Sequence, residues 1–133
     1  MLAVNERLLT QHRDLLMRAL QAVVLNTVYI ETNPEAGVRA AWEVIGAPAN
    51  RAAELPATVH VVRRAAELWK HSTEPMPWGA MNDQSWTGIL DYLGNAADIA
   101  LQDLNLGTLY TNALTEEVNR VQIDTAIAAA RQA

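Results

Sequence analysis

Along most of the chain, apolar residues return at steps of three and four, the spacing of one face of an α-helix. Leu16, Leu20, Val23, Thr27 and Ile30 form one stripe, and Leu15, Ala19 and Ala22 widen it toward a second face. A stripe that wide predicts burial between neighbours. The first helix begins at Asn5 or at His12 and runs to Glu31. Asn33-Pro34-Glu35 opens a second: Asn caps, Pro fits the first turn, and Glu meets the positive end of the helix dipole. Val38, Ala41, Trp42 and Ile45 give it an apolar face, and Gly46 followed by Pro48 ends it.

A linker from Ala47 to Leu55 precedes a third helix from Pro56 to about His71. Val59, Val62, Ala66 and Trp69 face inward there, and Arg63, Arg64 and Lys70 leave on the wet side. Glu74 to Met81 holds two prolines and a glycine and cannot be regular helix. Asn82-Asp83-Gln84 restarts one that carries Trp86, Ile89, Leu90 and Leu93 to about Ala97. Gly88 inside it costs roughly 1 kcal/mol against Ala, which predicts a close packing contact at that position. Asp98 to Asn112 reads either as continued helix or as a loop around Asn105 and Gly107.

Thr115-Glu116-Glu117 opens a last helix with Val118, Val121, Ile123 and Ile127, followed by a small, flexible tail from Ala128 to Ala133. No period-two run of β-branched residues is long enough to specify a strand, and no internal repeat occurs. The expectation is an all-α protein: one domain over residues 1–133, about five helices in a compact bundle.

Composition fits that picture. The 133 residues suit one domain with a sizeable core. Half are hydrophobic and 19% are charged, too apolar a mixture for disorder. Phenylalanine is absent, and Leu, Val, Ile and Ala favour close helix packing. The net charge of −5 offers no positive field for a phosphate backbone, so nucleic acid is not an expected partner. No cysteine is present, which excludes disulfides and thiolate chemistry. The amino terminus meets charge at Glu6 and is not read as a signal peptide. Leu15 to Ile30 is interrupted by Arg18, Gln21, Asn26 and Thr27, which is wrong for a membrane span.

Few residues suggest chemistry. His12, His60 and His71 fall on different helices or at their ends, without the ligand spacing of a metal site. Ser72 and Ser85 lie outside any nucleophile elbow, and no glycine-rich phosphate loop occurs. Asp83, Asp91, Asp98 and Asp103 read as solvated acids, and Glu116 and Glu117 as first-turn acids. No enzyme, cofactor or metal is expected. Trp42, Trp69 and Trp86 sit on helical stripes and read as core. Trp78, in the proline-bounded segment, has two readings: it lines a ligand cleft or it plugs a gap between two helices.

Four segments, in order, resemble one family. Asn5-Glu6-Arg7-Leu8-Leu9 with His12-Arg13-Asp14-Leu15 resembles its entry into a helix, with His12-Arg13 where the family often has proline before Asp. Tyr29-Ile30-Glu31-Thr32-Asn33-Pro34-Glu35-Ala36 is similar to its junction between two helices. Trp78-Gly79-Ala80-Met81 with Trp86 and Tyr92, and then Leu109-Tyr110-Thr111-Asn112, resemble its later segments. The family is the ABC-transporter solute-binding proteins for nitrate, aliphatic sulfonates, taurine and thiamine-pyrimidine precursors.

The resemblance spans nearly the whole chain but only the carboxy-terminal, helical part of that two-lobe α/β fold. The amino-terminal strands, the second lobe and the export signal have no counterpart. It implies capture of a small organic or anionic solute, delivery to an ABC permease and a periplasmic location. With no signal peptide, the chain as written is expected in the cytoplasm. Trp78 lies in the right sort of loop for ligand binding. Helix faces that would cover a sheet must find another partner, so a homo-oligomer, a dimer with a helical interface, is expected. The alternative is a stand-alone helical oligomerisation or interaction module without transport activity.

Overall fold

The computed structural model describes residues 4–69, 76–97 and 105–133. Among these the protein is all-α: eight helices and no strand. The expected end of the third helix near His71, and the stretch from Asp98 to Leu104, lie outside the described residues.

The first apolar stripe is divided between α1 (Glu6–Gln11) and α2 (Arg13–Thr32). His12 leaves the helical region, at φ −132° and ψ 39°, yet its N–H donates to the Leu8 carbonyl and its carbonyl accepts from Leu16. The break therefore leaves neither group of His12 unpaired, and both expected start points are used. Asn5 caps α1 by accepting from the Arg7 N–H at 2.8 Å.

α2 is the hub, with α1, α3, α4, α7 and α8 packed against it. Its buried residues are Leu16, Met17, Val24 and Val28, so the inward face is rotated from the stripe read in the sequence. Val23 is 46% exposed, and Leu20, Thr27 and Ile30 are half-buried.

α3 (Pro34–Ile45) starts where the Asn33-Pro34-Glu35 signal places it, with the Asn33 side chain accepting from the Ala36 N–H. The same amide reaches further: its Nδ2 donates to the Ala130 carbonyl at 2.9 Å, 97 residues along the chain. Gly46 ends α3 at φ +90°, a conformation that favours glycine. α4 (Arg51–Trp69) begins inside the stretch expected to be linker and carries Pro56 within its second turn. Proline there removes one early hydrogen bond to the Ala52 carbonyl, and exposed Ala52 leaves that carbonyl to water.

α5 (Asp83–Ala97) follows an Asn82 side chain that accepts from the Ser85 N–H at 2.7 Å. The close contact expected at Gly88 is absent: a β-carbon there would meet nothing within 4 Å. The tight glycine is Gly37 on α3, where a β-carbon would stand 2.8 Å from Ile30 Cγ1. α6 (Leu106–Leu109) is a single turn capped by Asn105, so the described part of the undecided stretch holds both helix and loop.

The expected last helix is two, α7 (Thr115–Val118) and α8 (Ile123–Gln132), parted at Asn119–Gln122. The expected flexible tail is instead the end of α8, and Ala130 within it is fully buried. Leu16, Met17, Val24, Leu114 and Val118 form the core, with Leu9, Leu20, Trp78 and Val121 packed around it.

The chain exposes 9876 Å². A compact monomer of 14.6 kDa would expose roughly 6,900 Å² by size scaling, so the surface is about 1.4 times larger. Val44, Ile45, Val61, Leu68 and Tyr92 all stand largely in water. No described helix is long and apolar enough to cross a membrane.

Candidate functional site

The irregular segment before α5 is held in place by two asparagines from the far end of the chain. Asn119, between α7 and α8, accepts from the Trp78 N–H at 2.9 Å and donates through Nδ2 to the Trp78 carbonyl at 2.9 Å. The same Nδ2 also donates to the Thr115 carbonyl at 2.7 Å. Asn112 repeats the pairing one step on, accepting from the Met81 N–H at 3.0 Å and donating to the Met81 carbonyl at 2.7 Å. Each amide presents the donor and acceptor that a neighbouring strand would offer. Four backbone groups of this proline-containing segment are thus satisfied without a helix or a strand. The Ala80 N–H closes the turn onto the Pro77 carbonyl at 3.0 Å, and Gly79 takes φ +77° inside it.

Held this way, Trp78 packs half-buried against the Leu16–Leu114–Val118 core. It fills the space between α2 and α7, and it also walls a cleft. That cleft, about 340 Å³, opens between α1–α2 on one side and the segments 78–81 and 111–118 on the other. Leu16, Leu20, Val23 and Val24 line one wall. Trp78, Met81, Leu114 and Val118 line the opposite one. Among the described residues, no charged side chain lines it.

Around this site the other expected residues take definite places. Trp86 is not core: its indole stacks on Tyr110, centroids 5.7 Å apart and planes 7° from parallel. The Tyr110 hydroxyl donates to Asp83 Oδ1 at 2.5 Å, so Asp83 has a partner as well as its place in the first turn of α5. That hydrogen bond to the carboxylate, with partial desolvation and the negative charge behind it, raises the Tyr110 pKa above its ordinary 10.0. Glu117 binds Arg13 at 2.6 Å, and its carbonyl accepts from Gln21, which ties α7 to α2. Glu116 pairs with Arg120 at 2.5 Å.

Trp42 is half-buried on α3, and the Trp69 side chain lies outside the described residues. His60 and Asp91 are exposed, on α4 and α5. His71, Ser72, Asp98 and Asp103 lie outside the described residues. Among the described residues, no three His, Cys, Asp or Glu side chains converge to hold a metal ion.

Sequence reasoning missed the asparagine clamps. Asn112 entered only as the close of a motif, and Asn119 not at all. Their partners lie 31 and 41 residues away, so nothing local distinguishes them from solvated amides. The geometry does bring together two segments that were read separately, Trp78-Gly79-Ala80-Met81 and Leu109-Tyr110-Thr111-Asn112. No family model, curated protein or solved structure matches the chain.

Proposed function

We propose that the chain acts in binding, as the helical carboxy-terminal segment of an ABC-transporter solute-binding protein. The cleft beside Trp78 would hold part of a small organic or anionic solute, and an ABC permease would be the partner of the complete binding protein. One observation carries the reading: Asn112 and Asn119 fix an otherwise irregular tryptophan loop as the wall of a preformed cleft. A loop restrained at four backbone groups suits recognition, because its wall is set before a ligand arrives. Thermal shift and calorimetry against nitrate, short aliphatic sulfonates, taurine, aminopyrimidines and neutral aromatic compounds test it. Binding of any of these, weakened by Trp78→Ala, supports the reading; a protein that binds none of them overturns it.

A second reading, a helical oligomerisation module, has its own support. Ile89, Tyr92 and Leu93 on α5 are 48%, 73% and 44% exposed, at the three- and four-residue spacing of one helix face. The excess surface of roughly 3,000 Å² exceeds the roughly 1,600 Å² that a standard interface buries in total. The compact bundle expected from the sequence would then be reached in a dimer. Sedimentation of the intact chain at rising concentration tests this. A dimer that Leu93→Lys dissociates supports it, and a strict monomer at high concentration refutes it.

A further inference from the structure

From the chemistry of its walls, we infer that the Trp78 cleft takes a neutral, apolar organic ligand of about two-ring size, and rejects anions. This deepens the binding reading above and rests on it.

Among the described residues no lysine, arginine or histidine lines the cleft, so an entering anion would lose its hydration and find no opposite charge there. Three of the four backbone N–H groups of the 78–81 turn, the alternative source of positive potential, are already taken. The Trp78 N–H is taken by Asn119, the Met81 N–H by Asn112 and the Ala80 N–H by Pro77. Two of the three lining threonine hydroxyls are engaged as well. Thr27 donates to the Val23 carbonyl at 2.8 Å, and Thr111 accepts from the Ala113 N–H at 3.1 Å. The described lining is mainly aliphatic carbon, a methionine thioether and an indole. The 340 Å³ available is roughly twice the ~150 Å³ apolar cavity that accommodates benzene.

The test uses two naphthalene probes of similar ring size and opposite character. 1-Naphthylamine is neutral in a neutral-pH buffer, and naphthalene-1-sulfonate carries a fixed negative charge. Each is titrated into the intact chain by fluorescence or calorimetry, with the oligomeric state measured in the same buffer. The expected result is one saturable site for the amine and at least tenfold weaker binding of the sulfonate. Val23→Glu places a carboxylate at the cleft wall on a half-exposed position. It should weaken the amine at least tenfold with the helical circular dichroism unchanged. Val44→Glu, on a side chain 85% exposed and away from the cleft, should leave binding as it was.

Equal affinity for the two probes overturns the inference, as does amine binding that Val23→Glu leaves untouched. Should the sulfonate or nitrate bind while the amine does not, the ligand class is wrong and the binding reading stands. Should nothing bind, both fail. If nothing binds and Val23→Glu converts a dimer to monomers, the cleft belongs to a second copy of the chain and the inference is again overturned.

Discussion

Asn33 should be worth more than its helix cap, and a three-variant series separates its two roles. Its Oδ1 accepts from the Ala36 N–H at 3.1 Å and caps α3, while its Nδ2 donates to the Ala130 carbonyl at 2.9 Å and ties down the last turn of α8. Loss of an N-cap costs about 1 kcal/mol, and a half-buried hydrogen bond contributes about 1 kcal/mol net. Asn33→Ala removes both and should destabilise by about 2 kcal/mol. Asn33→Ser keeps an oxygen for the cap and should cost about 1 kcal/mol. Asn33→Asp decides between the roles. Asp caps as well as Asn and gains from the helix dipole, so a residue that only capped would be neutral or better after the change. Here the substitution turns a donor into a carboxylate oxygen facing a carbonyl, and it should cost about 1–2 kcal/mol at neutral pH. Urea unfolding followed by circular dichroism at 222 nm, roughly the usual helix wavelength, reads all three. If Asn33→Asp matches or exceeds the parent, the tie to Ala130 contributes nothing and the reasoning is wrong.

Two glycines should respond with opposite sign to the same change. Gly88→Ala fills open space in an exposed helix and should stabilise by about 0.5–1 kcal/mol. Gly37→Ala brings a methyl to 2.8 Å from Ile30 Cγ1; the overpacking should outweigh the helix gain and leave a net loss of about 1 kcal/mol. Thermal unfolding of both variants checks the pair. Tyr110 should ionise above 10.0 in an ultraviolet titration, and Asp83→Asn should bring it down by removing the charge that accepts the phenol proton. Because folding raises this pKa, the pair contributes fully below the unfolded value and is lost as pH rises through the elevated one. Stability of the parent should therefore fall relative to Asp83→Asn in that alkaline window, and parallel profiles would contradict it.

What the sequence makes legible here is whatever has a partner within a turn or two. Asn5 and Asn33 announce their helices because the N–H groups they accept from are two and three residues on. The second half of Asn33's role is invisible for the opposite reason, as are the clamps of Asn112 and Asn119. An amide that reaches across the fold looks in sequence like one that faces water. Gly88 and Gly37 make the same point in packing. Both lie inside helices, and only the neighbouring helix decides which of them needs to lack a β-carbon. One miss was avoidable. Val121 to Ile123 is a two-residue step that no single helix face supplies, and the chain breaks between α7 and α8 at that place.

The spacing on α5 argues further than the fold does. Trp86, Ile89, Leu90 and Leu93 repeat as a buried face would, yet within the chain Tyr110 covers Trp86 while Ile89 and Leu93 remain about half exposed. Near half exposure, a large aliphatic side chain realises only about half of the roughly 1.5–3 kcal/mol that full burial would give. The pattern is therefore satisfied in part by what the monomer provides. Cleft and stripe differ in kind on this point. The cleft is walled on two sides by mainly apolar side chains, which suits a small apolar guest. The α5 face instead presents Ile89, Tyr92 and Leu93 outward, at the spacing that a second helix would cover. The proposed binding at Trp78 and the proposed association through α5 thus use different surfaces, and loss of either by mutation should leave the other measurable.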